Sequence, residues 1–255
     1  MADPSEKDAL FELLLRLGDS ALILGHRLSA WCGHGPVLEE DIAMTNIALD
    51  LIGQSRLFLA YAGEIEGAGR DEDELAYKRD AMDWRNFILV EQPNGDFAKT
   101  MTRQFLFDAF NVALLERLCG SSDETVAGIA GKAVKEARYH LRHSGGWLVR
   151  LGDGTDESHQ RTQTALDALW GYGHEMFDDG PVDELLAVAD VSVLPSSLKP
   201  AFDATVDAVL ADATLTRPAD DWSIRGGSQG RHSEHLGYLL AEMQFLPRAY
   251  PDASW

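Results

Sequence analysis

Four long stretches of this chain repeat apolar side chains every three to four positions, and that periodicity constrains the fold more than any other feature. The first begins at Ser5, with Asp8 three residues on in a capping arrangement, and reaches about Trp31. Its apolar positions (Leu10, Phe11, Leu13, Leu14, Leu17, Ala21, Leu22, Leu24, Leu28) are too broad for a surface stripe and predict a central helix. The second, LEEDIAMTNIALDLIGQSRLFLAYAGEIEGAG, opens on three acids that complement a helix dipole and closes on glycines. DFAKTMTRQFLFDAFNVALLERLCG and SSDETVAGIAGKAVKEARYHLRHSGGWLVRLGDG are the third and fourth. A short charged helical piece, DEDELAYKRDAMDW, and the non-helical interlude FILVEQPNGD, with a turn at Pro93-Asn94-Gly95, separate the second from the third. DESHQRTQTALDALWGYGHEMF, PVDELLAVAD, PSSLKPAFDATVDAVLADA and SEHLGYLLAEMQFLPRAY follow as further helices. No linker or internal repeat divides the chain. Residues 1–255 are therefore expected to form one all-α domain, a four-helix bundle with additional C-terminal helices.

Charge narrows the function. With 42 acidic against 22 basic residues, the formal net charge is −20 and the pI about 4.6. Nucleic acid and anionic membrane surfaces are poor partners for such a chain, whereas a basic protein partner fits. Cys32 and Cys119 lie far apart, which argues against a zinc ribbon or disulfide scaffold and suits a reducing cytoplasm. Arg16, Asp19, His26 and Arg27 interrupt the apolar N-terminal stretch before it reaches the ~18 residues of a membrane span, and no signal peptide is expected.

Within the fourth stretch, AVKEARYHLRHSGGW places Glu136, His140 and His143 within about 60° on one helical face, a set of ligand types suited to iron or zinc. The competing reading is an ordinary hydrogen-bonded i,i+4 pair. Bundle-core di-iron sites take a lone carboxylate from each of two helices and a Glu-x-x-His pair from each of the other two. No glutamate here has a histidine three residues later; Asp156–His159, the one Asp-x-x-His, stands at a polar helix start suited to capping. Ala137 occupies the position three before His140. GGSQGRHSEHLG, with Arg225, Arg231, His232 and His235, reads as a turn capped by Ser233 in preference to an anion site at a helix start.

RLGDSALILGHRLSAWCGHGP, NIALDLIGQSRLFLAYA, LVEQPNGDFAKT, KEARYHLRHSGGWLVRLGDGTDES and GGSQGRHSEHLGYLLAEMQFLPRAYP together cover almost the whole chain. In these blocks it resembles the C subunits of phenylacetyl-CoA oxygenase (ring 1,2-epoxidase) complexes, ferritin-like paralogues of a di-iron catalytic A subunit. The resemblance implies a ferritin-like bundle that binds no metal and performs no catalysis. It would prop up the di-iron partner and help shape its acyl-CoA site, while a separate reductase supplies electrons and the partner chiefly holds phenylacetyl-CoA. The chain would also self-associate when alone. The paralogue's Glu-x-x-His falls here on Asp50 with Gly53 or on Leu51 with Gln54; His140 keeps its place, Ala137 has lost the carboxylate, and Asp108 takes the third-helix position. Asp19 and Glu12 both lie near the first-helix position, which stays open between them. Asp108 and His140 are expected to form a buried polar or ion-paired network in place of the irons, and residues 39–42 (Glu39, Glu40, Asp41, Ile42) to border the acyl-CoA pocket. The aromatics of FLFDAF and ALWGYGHEMF are expected to pack in the core or an interface. Two other readings stand beside this one: a ferritin-like oxidase with a non-standard ligand set of Asp108, Glu136, His140 and Asp50, and a helical binding protein unrelated to oxygenation.

Overall fold

The computed structural model describes residues 5–251 and 253, and among these every regular element is helical. Four long helices carry the fold: α1 (Glu6–Ser29), α2 (Leu38–Glu66), α5 (Phe97–Leu118) and α6 (Glu124–Gly152), with α3 (Glu72–Tyr77) and α4 (Ile88–Glu91) between α2 and α5. Local chemistry sets their ends. Ser5 and Asp8 close a capping box on α1, Asp96 accepts the Lys99 N–H at 2.9 Å, and Asp123 accepts from Thr125 and Val126. Gly67, at φ 71°, ends α2 in the left-handed conformation that glycine adopts without strain.

Contacts fix the directions of the four helices. Gly18 meets Leu59 and Gly25 meets Ala48, so α1 and α2 run antiparallel; a Cβ at Gly18 would stand 2.7 Å from Leu59 Cδ2. Asp108–Ser144 and Glu116–Arg138 make α5 antiparallel to α6. Gln54–Glu136 and Glu40–His143 do the same for α2 and α6, and the Trp31 indole N–H reaches Thr100 at 3.0 Å to place α1 beside α5. Two antiparallel pairs joined by one long connection, from α2 across to α5, are the ferritin-like topology.

That connection is anchored by charge as well as packing. Arg79 and Asp19 form an ion pair with both side chains almost fully buried, Arg79 Nη1 lying 3.0 Å from Asp19 Oδ2. The Arg85 backbone N–H donates to the same oxygen at 2.8 Å, and the Arg79 guanidinium stacks over Trp84, 4.7 Å from the ring centroid. Against α5 and α6 lie α7 (Asp156–Trp170) and α9 (Lys199–Asp212); α8 (Pro181–Val188) leans on α1, and α10 (Glu234–Met243) and α11 (Phe245–Ala249) close the chain.

Four segments differ from their sequence reading, the first being DEDELAYKRDAMDW, which is α-helical only over Glu72–Tyr77 and resumes as a 3₁₀ turn over Ala81–Asp83. Part of FILVEQPNGD is helical: α4 forms there with all four residues buried, and a run apolar on every side carries no periodicity to read. ALWGYGHEMF leaves the α-helix after Trp170, at Gly171 and Gly173, and resumes as a 3₁₀ turn over His174–Phe177. SEHLGYLLAEMQFLPRAY breaks at Gln244, whose buried amide donates to the carbonyls of Ala76 and Arg79 at 3.2 and 3.0 Å.

Candidate functional site

A seam of polar pairs joins α2 to α6 and continues inward to α5. At one end, Glu40 Oε2 accepts from His143 Nε2 at 2.8 Å and from the Trp147 indole N–H at 2.7 Å. In the middle, His140 Nε2 lies 3.2 Å from Asp50 Oδ2; at the other end the Gln54 amide donates to Glu136 Oε2 at 2.9 Å. His140 is wholly buried, and burial pulls its pKa below the usual histidine value while Asp50 opposes the shift. Its Nδ1 has no hydrogen-bond partner.

Asp108 sits one layer deeper, wholly buried on α5. Gln104 Nε2 donates to Oδ1 at 2.7 Å and Ser144 Oγ to Oδ2 at 2.7 Å. Burial dominates these two hydrogen bonds and pushes the carboxyl up to about 8. In its protonated form it returns a proton to Ser144 Oγ, which frees that hydroxyl for the His140 carbonyl 3.0 Å away.

The side chains of Asp108 and His140 form no ion pair, and Ser144 connects the Asp108 carboxyl only to the backbone carbonyl of His140. Asp50 is the acid at the imidazole, and Ser144 is the link to Asp108. Gln54 joins the seam; Leu51 and Ala137 are fully buried apolar positions, and Gly53 faces outward with open space around it. Neither first-helix acid reaches this region: Asp19 is held by Arg79, and Glu12 lies between Arg16 and Arg85, 3.5 and 3.0 Å away. Of the 39–42 segment, Glu40 belongs to the seam, Asp41 accepts the Gly35 N–H at 2.9 Å, and Ile42 is half exposed. Among the described residues no three His, Cys, Asp or Glu side chains converge as a metal-ligating group.

Three buried acids escaped the sequence reading, the first of them Asp183, which pairs with Arg16 at 3.1 Å. Glu175 accepts backbone N–H groups from Ile88, Gly226 and Gly227, the latter two at 3.0 Å; Glu91 lies 3.3 Å from the Ser233 N–H and 3.4 Å from His232 Nδ1. Burial raises the Glu175 pKa against those three hydrogen bonds. Three N–H groups of GGSQGRHSEHLG, those of Gly226, Gly227 and Ser233, thus face the protein's own carboxylates, and Ser233 caps α10. An acid inside each of the apolar stretches FILVE and GHEMF was the available signal.

A bundle of this topology with a polar core between its helix pairs defines a ferritin-like protein. The chain belongs to the phenylacetic acid catabolic protein family, whose profile matches residues 1–255. Over 241 residues, 94% of this chain and 97% of the relative, it is 51% identical to the C subunit of the 1,2-phenylacetyl-CoA epoxidase of Escherichia coli (strain K12). Among the described residues no helix is long and apolar enough to cross a membrane.

Proposed function

We propose that this chain is the C subunit of a phenylacetyl-CoA epoxidase complex in phenylacetate catabolism, and that it acts there as a scaffold and not as the oxidising centre. The observation that carries this reading is how the core acids and histidine are engaged. Asp50 meets His140, Gln54 stands against Glu136, Asp108 is held by Ser144 and Gln104, and Ala137 offers no ligand atom. A di-iron pair needs four carboxylates and two histidines facing one another across the bundle. These residues do not fit that group, so Asp50, Leu51, Gly53, Gln54, Asp108, Ala137 and His140 are read as vestigial positions, and the iron as belonging to a paralogous partner subunit.

The partner's landing place is the outer face of α2 and α6. Leu38, Ile42 and Leu49 project from α2 with 71, 51 and 61% of their surface exposed, and Tyr139 of α6 is exposed as well. Along α6 exposed outward positions are basic (Lys132, Lys135, Arg142, Arg150), a concentration that stands out on a chain of net charge −20. An apolar strip flanked by one sign of charge suits a large, oriented subunit interface. Glu39 and Ile42 stand at the edge of this face, where they would border an acyl-CoA held mainly by the partner.

Iron per chain, measured on the protein alone and after co-expression with a di-iron paralogue, tests the reading. Iron only in the co-purified complex supports it. Stoichiometric iron in the isolated chain, lost on His140→Ala, favours instead the oxidase built on Asp50, Asp108, Glu136 and His140.

A further inference from the structure

Away from the polar seam, a recess of about 180 Å³ opens between the end of α7, the 3₁₀ turn after it and the start of α9, with Leu106 of α5 as its floor. Its walls are Trp170, Phe177 and Phe202. The three rings form a fixed set: Phe177 and Phe202 lie 5.0 Å apart by centroid, and Trp170 and Phe202 6.5 Å apart. An engineered apolar cavity of about 150 Å³ already accepts benzene, so this recess has room for one substituted ring.

His174 supplies the polar element. Of the side chains lining the recess, it alone keeps a buried polar atom, Nε2, without a hydrogen-bond partner. That nitrogen stands 3.4 Å from Asp220 Oδ1, which already accepts the Trp170 indole N–H at 2.7 Å. A buried polar atom left unpaired costs stability, and a ligand that satisfied it would recover the loss. The rim carries Lys199 and Arg225, but Asp203 and Asp178 pair with them, and Asp220 adds a further acid. A free carboxylate or phosphate would therefore find no unpaired cation.

We propose that the recess binds a neutral single-ring phenol, its ring against the Trp170, Phe177 and Phe202 walls and its hydroxyl on His174 Nε2. A hydroxyl is the group that answers either imidazole tautomer, because it both donates and accepts. The outcome is independent of whether the chain joins an epoxidase complex.

Fluorine NMR of 4-fluorophenol titrated with the full chain tests the site. Saturable binding, roughly millimolar as expected for so few heavy atoms, supports it when phenol displaces the probe. His174→Leu, which keeps the wall and removes the polar atom, should weaken binding about tenfold. Leu106→Phe, which fills the floor, should abolish it. No saturable binding to the unsubstituted chain, or binding that either variant leaves unchanged, overturns the proposal. Should a variant fail to fold, a wild-type crystal soaked in phenol decides: ring density in the recess beside His174 supports the site, and density only elsewhere or none at all overturns it.

Discussion

At the residue scale, Asp108 shows how burial converts an acid into a neutral hydrogen-bonding group. Its folded pKa of about 8 lies far above the ordinary carboxylate value of 3.8. Between these values the unfolded chain releases the proton and the folded chain keeps it, so Asp108 lowers stability progressively as pH rises from about 4 to about 8. The penalty at the upper end is on the order of a few kcal/mol. Asparagine reproduces the protonated acid, with an oxygen for Gln104 and an N–H for Ser144. Asp108→Asn should therefore raise the melting temperature, by more at about pH 8 than at about pH 5.5; an unchanged gap across that range in thermal melts would show that Asp108 is ionised in the fold. Asp19 is buried in a different setting, with the Arg79 guanidinium and the Arg85 N–H both directed at its carboxyl group. Asp19→Ala leaves the Arg79 guanidinium buried without its counter-ion, a loss expected to cost about 3–5 kcal/mol in chemical denaturation.

At the element scale, two kinds of glycine separate packing from propensity. Gly18 lies where α1 crosses α2, and a methyl there must displace Leu59, a side chain almost completely buried. Gly128, on the outer side of α6, has no neighbouring atom within 4 Å of an added Cβ. Gly128→Ala should gain up to about 1 kcal/mol from helix propensity. Gly18→Ala should lose about 1–3 kcal/mol to overpacking, partly offset by the same gain; equal effects in urea titrations would refute the close crossing. The long helices were legible in the sequence because each repeats its apolar pattern over several turns. α4 was not, since four consecutive buried residues have no period, and the break at Gln244 was not, since it depends on carbonyls some 170 positions earlier in the chain. The seam was legible only in part. Its residues share helical faces in the sequence, but which acid meets His140 depends on the register of α2 against α6. That register sets Asp50 at the imidazole and leaves Asp108 to Ser144.

At the scale of the whole molecule, charge and apolar surface point to the same face. The inner sides of α2 and α6 pair acids with histidines, Asp50 with His140 and Glu40 with His143, whereas their outer sides leave large apolar and basic side chains in solvent. Such an arrangement contributes little to the isolated chain, because exposed side chains away from special contacts affect stability by no more than about 0.5 kcal/mol. In the proposed complex the same side chains would be desolvated, so their loss would register there and not in the lone chain. Leu49→Asp combined with Ile42→Asp should therefore leave the melting temperature of the lone chain nearly unchanged. Co-purification of a di-iron paralogue should fall by tenfold or more, since placing two charged groups against an apolar contact costs at least about 1–3 kcal/mol. Charge reversal at Lys132 and Lys135 acts through a different quantity. It should slow association at low ionic strength and flatten its salt dependence, with dissociation little changed, because exposed charges at an interface rim steer the encounter more than they hold the product. Retained co-purification in the double aspartate variant, together with an unaltered salt profile in the lysine reversals, would move the interface to another face of the bundle. A loss confined to the complex would establish that α2 and α6 hold the core's polar pairs on their inner sides and the partner on their outer ones.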